Sequence, residues 1–145
     1  MRNADKQTLD QIQTKLHDTC MLCGSQNPVG LKLQFEVLPD ASLRTEFMCK
    51  FMFEGYKGFL HGGVAASLID SVMTNCLFAH NIAAFTAELT INYKMPVRCG
   101  KKVIVTAKIV KSYEPLHVLE AQVVQDDKIV VTASAKFMES DLLKK

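Results

Sequence analysis

The chain has 145 residues, of which 48% are hydrophobic and 22% charged, with a formal net charge of +2. That is one domain (residues 1–145) with room for a core, neither disordered nor collagen-like, and its weak charge excludes a field able to neutralise a run of phosphates. The most apolar stretch, residues 64–79, is interrupted by Ser67, Asp70, Ser71, Thr74 and Asn75, and the first 15 residues are polar throughout, so neither a transmembrane span nor a signal peptide is expected.

In chain order, Leu9, Ile12 and Leu16 recur at helical spacing within residues 4–17, predicting a short amphipathic helix that lies on a surface or a partner. A turn-rich stretch follows, with Cys20 and Cys23. The five cysteines are an odd, scattered set, which suits reduced thiols in a cytoplasm better than a disulfide framework. Leu31, Leu33, Phe35 and Val37 then alternate with polar residues, predicting a strand over 31–38, and residues 42–49 after Pro39-Asp40 complete a hairpin. Residues 51–60 read as a loop.

From Val64 to about His80 the chain is apolar on most of a helical circumference, so this helix must be buried on nearly all sides. Its polar residues Ser67, Asp70, Ser71 and Thr74 fall at i, i+3, i+4 and i+7 and form one line along the cylinder. After it, Ala87, Leu89, Ile91, Tyr93 and Met95 mark the apolar face of a long strand. Three more strands follow, over 103–109, 116–124 and 129–137, with a turn at Asp126-Asp127. Strands joined by tight turns make an antiparallel sheet, and only one long helix is available to cover it. The predicted class is α+β, a curved antiparallel sheet wrapped around one central helix, which is the hotdog architecture.

His61-Gly62-Gly63 immediately precedes that helix. Two glycines there leave backbone N–H groups unshielded at the positive end of the helix dipole, where an oxygen bearing negative charge can bind. Gly62 and Gly63 are therefore candidate donors to the oxyanion that forms when an activated acyl group is cleaved. The alternative is a glycine-rich loop that only lets helix and sheet approach. Asp70, mid-helix, is a poor helix former that needs partners or a wet cavity. It is either a solvated member of the polar line or a carboxylate that activates water or attacks the acyl carbon. Asp70 lies nine residues after His61, a rotation of roughly 180° and an offset of about 13 Å along one helix. The two cannot flank one carbonyl within one chain, so if both serve one reaction the sites are shared across a twofold axis. A homodimer is predicted, with a pairing of two dimers as the larger assembly.

The segments HGGVAASLID and TAELTINYKMP, within a match over about residues 20–138, resemble the hotdog-fold acyl-CoA thioesterases of the PaaI and THEM4-like type. The resemblance implies hydrolysis of acyl-CoA without a cofactor, with Asp70 as general base or nucleophile, an oxyanion-hole N–H from Gly62, and assistance from Thr86. It gives His61 the part of shaping the loop or binding the thioester region. Some relatives carry an Asn shortly before His-Gly-Gly; here the chain has Glu54-Gly55-Tyr56, so no catalytic Asn is assigned. Cys20-x-x-Cys23-Gly with Asn27-Pro and Gly30-Leu looks like the leader of a subgroup of this family. With His17 nearby but no evident fourth ligand, the pair is read as buried thiols without a metal.

CoA phosphates call for basic groups at a rim, and Lys94, Arg98, Lys101 and Lys102 cluster near a predicted turn; a solvated basic turn is the alternative. Phe53, Phe59, Met73 and Phe85 are expected either to line an acyl path or to pack in the core. Two competing functions sit on the same scaffold: a non-catalytic acyl-CoA binder, and a hydratase or dehydratase acting on enoyl-CoA.

Overall fold

The structure is a computed structural model and describes residues 3–144. It contains helices α1 (Lys6–Leu16) and α2 (Gly62–Ala79), and strands β1 (Glu36–Val37), β2 (Leu43–Met48), β3 (Phe85–Tyr93), β4 (Lys102–Tyr113), β5 (Leu116–Gln125) and β6 (Lys128–Met138). The strands form one antiparallel sheet in the order β1-β2-β4-β5-β6-β3. This is the hotdog arrangement expected from the sequence.

Alternation along β4, β5 and β6 turns Val103, Val105, Leu119, Val123, Val131 and Phe137 to the inside, each at most 1% exposed. Across the middle of that face Ala107 opposes Ala121, which opposes Ala133. This row of small side chains leaves the space that α2 fills. On α2, Leu68, Ile69, Val72, Met73, Cys76 and Leu77 have no exposed surface, and full burial of each larger aliphatic side chain contributes about 1.5–3 kcal/mol. The helix is long and apolar enough to cross a membrane, at 18 residues and mean hydropathy 1.3, but 67% of it is buried within the protein, as a core helix requires. Helix α1 packs on α2. Asp5 caps it by accepting from Thr8 N at 3.1 Å, Leu9 is fully buried, and Asp5 N donates to Ala79 O at 2.8 Å. With the sheet on one side and α1 on another, α2 can be apolar almost all round. The β5–β6 hairpin turns on Asp126 (φ 53°) and Asp127 (φ 63°), the pair of positive φ angles that a two-residue turn matching strand twist requires.

Three expectations need correction. The strand over 31–38 contracts to Glu36–Val37, because the preceding backbone finds other partners: Leu31 N and Leu33 N donate to Met21 O and Leu22 O, and Thr45 Oγ1 donates to Gln34 O. Helix α2 begins at Gly62 rather than Val64, since both glycines adopt helical backbone once His61 caps them. The strand after α2 pairs with β6 at the edge of the sheet, not with the strand that follows it. Its apolar face is largely open: Leu89 and Ile91 are half-buried, while Tyr93 and Met95 are 52% and 43% exposed.

Candidate active site

The N-terminus of α2 is built by His61. Its backbone is extended and its Nδ1 accepts from Gly63 N at 2.8 Å, while its carbonyl accepts from Val64 N and Ala65 N. Nδ1 therefore carries no hydrogen in the neutral ring, which puts the N–H on Nε2. Gly55 permits this placement, since a Cβ there would stand 3.2 Å from His61 Cα and 3.3 Å from Cδ2. His61 thus uses up the Gly63 amide. Gly62 is the first-turn amide with no protein acceptor among the described residues, and it is exposed. The Gly62 carbonyl accepts from Tyr93 Oη at 2.7 Å, which ties the glycine turn to β3. Tyr93 read only as one apolar position of a strand in the sequence; nothing in its spacing reveals this bond.

Asp70 is half-buried on the polar line of α2, and Thr86 Oγ1 donates to its Oδ1 at 2.6 Å. The structure brings these two predicted residues together independently of any resemblance. Thr86 is the second residue of β3, beside a register irregularity between Thr86 and Glu88, which re-aims side chains at this end of the strand. Asp70 also acts on His17: burial holds that imidazole below its ordinary pKa, and the Asp70 charge opposes the shift. Ser71 and Thr74 are buried, and Ser67 Oγ donates back to Gly63 O at 2.9 Å.

Of the basic residues, Lys94 directly follows Tyr93, and Arg98 stands on the segment that braces the His61 loop. Phe59 bridges to Arg98, Leu60 N donates to Val97 O at 2.8 Å, and the Arg98 guanidinium lies 5.9 Å from the Phe59 ring centroid. Both Lys94 and Arg98 are exposed. Lys101 is instead paired with Asp126 at 2.8 Å. Met73 is wholly buried and belongs to the core, whereas Phe85 is 48% exposed. A depression of about 560 Å³ lies along the polar strand positions Thr106, Gln122, Thr132 and Ser134, and its lining includes none of His61, Gly62, Asp70 or Thr86.

A sheet wrapped round a capped helix, with Gly62 and an Asp–Thr pair on that helix and its flanking strand, defines the class: this chain belongs to the thioesterase superfamily, which residues 57–132, just over half its length, match. More particularly, it is 34% identical over 61 residues to mouse acyl-coenzyme A thioesterase 13, covering 41% of this chain and 44% of that protein. It is 38% identical over 58 residues to rat acyl-coenzyme A thioesterase THEM4, covering 40% of this chain and 25% of the relative. The matched segment thus spans less than half the length of either curated relative. A Streptococcus mutans protein solved bound to acetyl CoA shares the fold, with a TM-score of 0.70 at 18% identity over 74% of this chain and 88% of that one.

Proposed function

We propose that this protein hydrolyses acyl-CoA thioesters, with Asp70 as general base and the Gly62 amide as oxyanion donor, each site being shared between two copies of the chain. The observation that carries the reading is the 2.6 Å hydrogen bond from Thr86 to Asp70 Oδ1. It fixes the carboxylate and leaves Oδ2 to take a proton from water. The resulting hydroxide adds to the acyl carbon, and the carbonyl oxygen takes up negative charge against the Gly62 N–H. Collapse of the adduct breaks the C–S bond, and the CoA thiolate leaves with the proton held on Asp70 or one from solvent. Preorganised donation of this kind lowers the barrier by about 3–4 kcal/mol per donor. His61, whose Nδ1 is committed to Gly63, acts as positioning residue and offers a donor, not a base.

Distance and the sheet edge support the sharing. The N-terminus of α2 and Asp70 are separated by about 12 Å of helix. β3 has a partner on one side only and exposes Phe85 and Tyr93, with exposed Met95 just beyond its end. A second copy pairing along that edge would cover those side chains and bring the Gly62 end of one helix to Asp70 of the other. Lys94 and Arg98 flank the same end and suit CoA phosphates; Gly63 shapes the turn. Acetyl CoA in the Streptococcus mutans structure and the names of the curated relatives support this substrate class. Five thiols outside any disulfide suit a reducing compartment, the cytoplasm in this reading.

The test is Asp70→Asn, with circular dichroism and oligomer mass checked against the parent. Thiol release from a panel of acyl-CoAs should fall by roughly 10²–10⁴-fold. Turnover retained within tenfold would overturn the assignment. An enoyl-CoA converted to a hydrated product with its thioester intact would instead favour the hydratase reading.

A further inference from the structure

We infer that His17, Cys20 and Cys23 bind one zinc ion. A ring nitrogen of His17 and the two Sγ atoms all lie within 4.8 Å of one another, and Cys23 Sγ stands 3.6 Å from His17 Nδ1. Ligand bonds of about 2.1 Å to nitrogen and 2.3 Å to sulfur, opened to the tetrahedral angle, put those two atoms about 3.6 Å apart. One edge of the coordination tetrahedron is therefore already present, and Cys20 Sγ stands close enough to complete a three-atom face.

The backbone holds this face in advance. Cys20 N donates to His17 O at 3.1 Å, Gly24 N to Cys20 O at 2.9 Å, and Gln26 N to Asp18 O at 2.8 Å. Only glycine fits at 24, since a Cβ there would stand 2.4 Å from Cys20 N and 2.6 Å from Asp18 O. The His17 ring is set edge-on against Phe78, at 5.0 Å and 84°. Both sulfurs receive N–H donors: Leu22 N to Cys20 at 3.4 Å and Asn75 Nδ2 to Cys23 at 3.7 Å. Asn75 has no exposed surface, and its amide is oriented by Gln13 Nε2 donating to Oδ1 at 3.0 Å while Nδ2 also serves Ser71 O at 2.8 Å. Such outer partners are what orient metal ligands.

Two cysteine thiolates and a divalent ion together carry no net charge, which suits a half-buried turn. A mixed nitrogen and sulfur donor set suits zinc among the common divalent ions. Among the described residues no fourth carboxylate, imidazole or thiol joins the group, so the last position falls to water. The expectation of metal-free thiols rested on the lack of a fourth ligand; three preorganised donors with supported sulfurs reverse it. The ion would close the turn that follows α1 on itself, beside Asn75 of α2, independently of whether the protein cleaves thioesters.

The experiment uses the reduced 145-residue chain, loaded with zinc chloride, freed of excess by gel filtration and assayed by elemental mass spectrometry. The expected result is about one zinc per chain, falling more than tenfold in Cys20→Ser/Cys23→Ser, with zinc affinity falling about 10–100-fold in Asn75→Ala. Because the double variant can fail to fold, the parent chain is also titrated with cobalt(II), which should saturate at one equivalent with a thiolate charge-transfer band. Zinc should in addition shield Cys20 and Cys23, mapped by peptide mass, from alkylation. Less than a tenth of an equivalent retained with both thiols reduced, a cobalt spectrum without sulfur character, or a Cys20–Cys23 disulfide as the stable state under thiol reductant would each overturn the proposal.

Discussion

Gly62→Pro separates the Gly62 amide from everything else at the site. Gly62 is the first helical residue of α2, where a proline is tolerated because the N–H has no intrahelical acceptor. His61, at φ −60° and ψ 132°, already has the extended backbone that a residue before proline must adopt. A Cβ at 62 would lie 3.5 Å from Tyr93 Oη, an ordinary contact. The variant should therefore fold with its thermal midpoint nearly unchanged while losing one donor. If that donor receives the oxyanion, kcat for thiol release from acyl-CoA falls by about 10²–10³-fold, or roughly 2.7–4 kcal/mol of barrier. Gly62→Ala keeps the amide and adds the same Cβ, so its loss should be at least tenfold smaller. A proline variant retaining more than a third of the parental kcat would refute the placement of the oxyanion at Gly62.

Two further predictions concern the scaffold. His117 is 1% exposed between Ser112 Oγ, at its Nδ1, and Glu139 Oε2, 2.8 Å from its Nε2. His117→Ala should cost about 1–3 kcal/mol in urea denaturation, with Glu139, 20% exposed, keeping the loss from being larger; a change under about 0.5 kcal/mol would show that the cluster does not brace the β4–β5 hairpin against the chain after β6. Burial pushes the Cys76 thiol up to about 12 from its ordinary value of 9.0. Above pH 9 the unfolded chain ionises this thiol first, so its contribution to stability is intact below that point and declines as pH rises towards 12, at up to about 1.4 kcal/mol per unit. Between pH 9 and 11, stability should fall less steeply in Cys76→Ala than in the parent; parallel slopes would contradict the burial argument.

Periodicity alone disclosed the helix around Val72, the strands with inward Val105, Leu119 and Val131, and the turn at Asp126-Asp127, because each is a local pattern that burial then preserves. His61-Gly62-Gly63 and Asp70 were visible for a related reason: glycines at a helix start and a carboxylate within an apolar helix violate local preference, and such violations mark places where chemistry or packing overrides it. Leu31, Leu33 and Phe35 misled because alternation reports which side chains are buried, not whether the backbone between them finds a strand partner; here it bonded to the turn at Met21-Leu22 instead.

What the sequence by itself determined is the inventory: one apolar helix, a run of two-faced strands, a glycine pair at the helix start, and the acid and the cysteine pair available for chemistry. Which of these meet was decided only in three dimensions. Thr86 reaching Asp70, Tyr93 holding Gly62 and Asn75 supporting Cys23 are contacts between segments whose approach depends on how β3 runs along the sheet edge and how α1 leans on α2. No spacing along the chain encodes them, because they are set by the packing of whole elements and not by the conformation of any one.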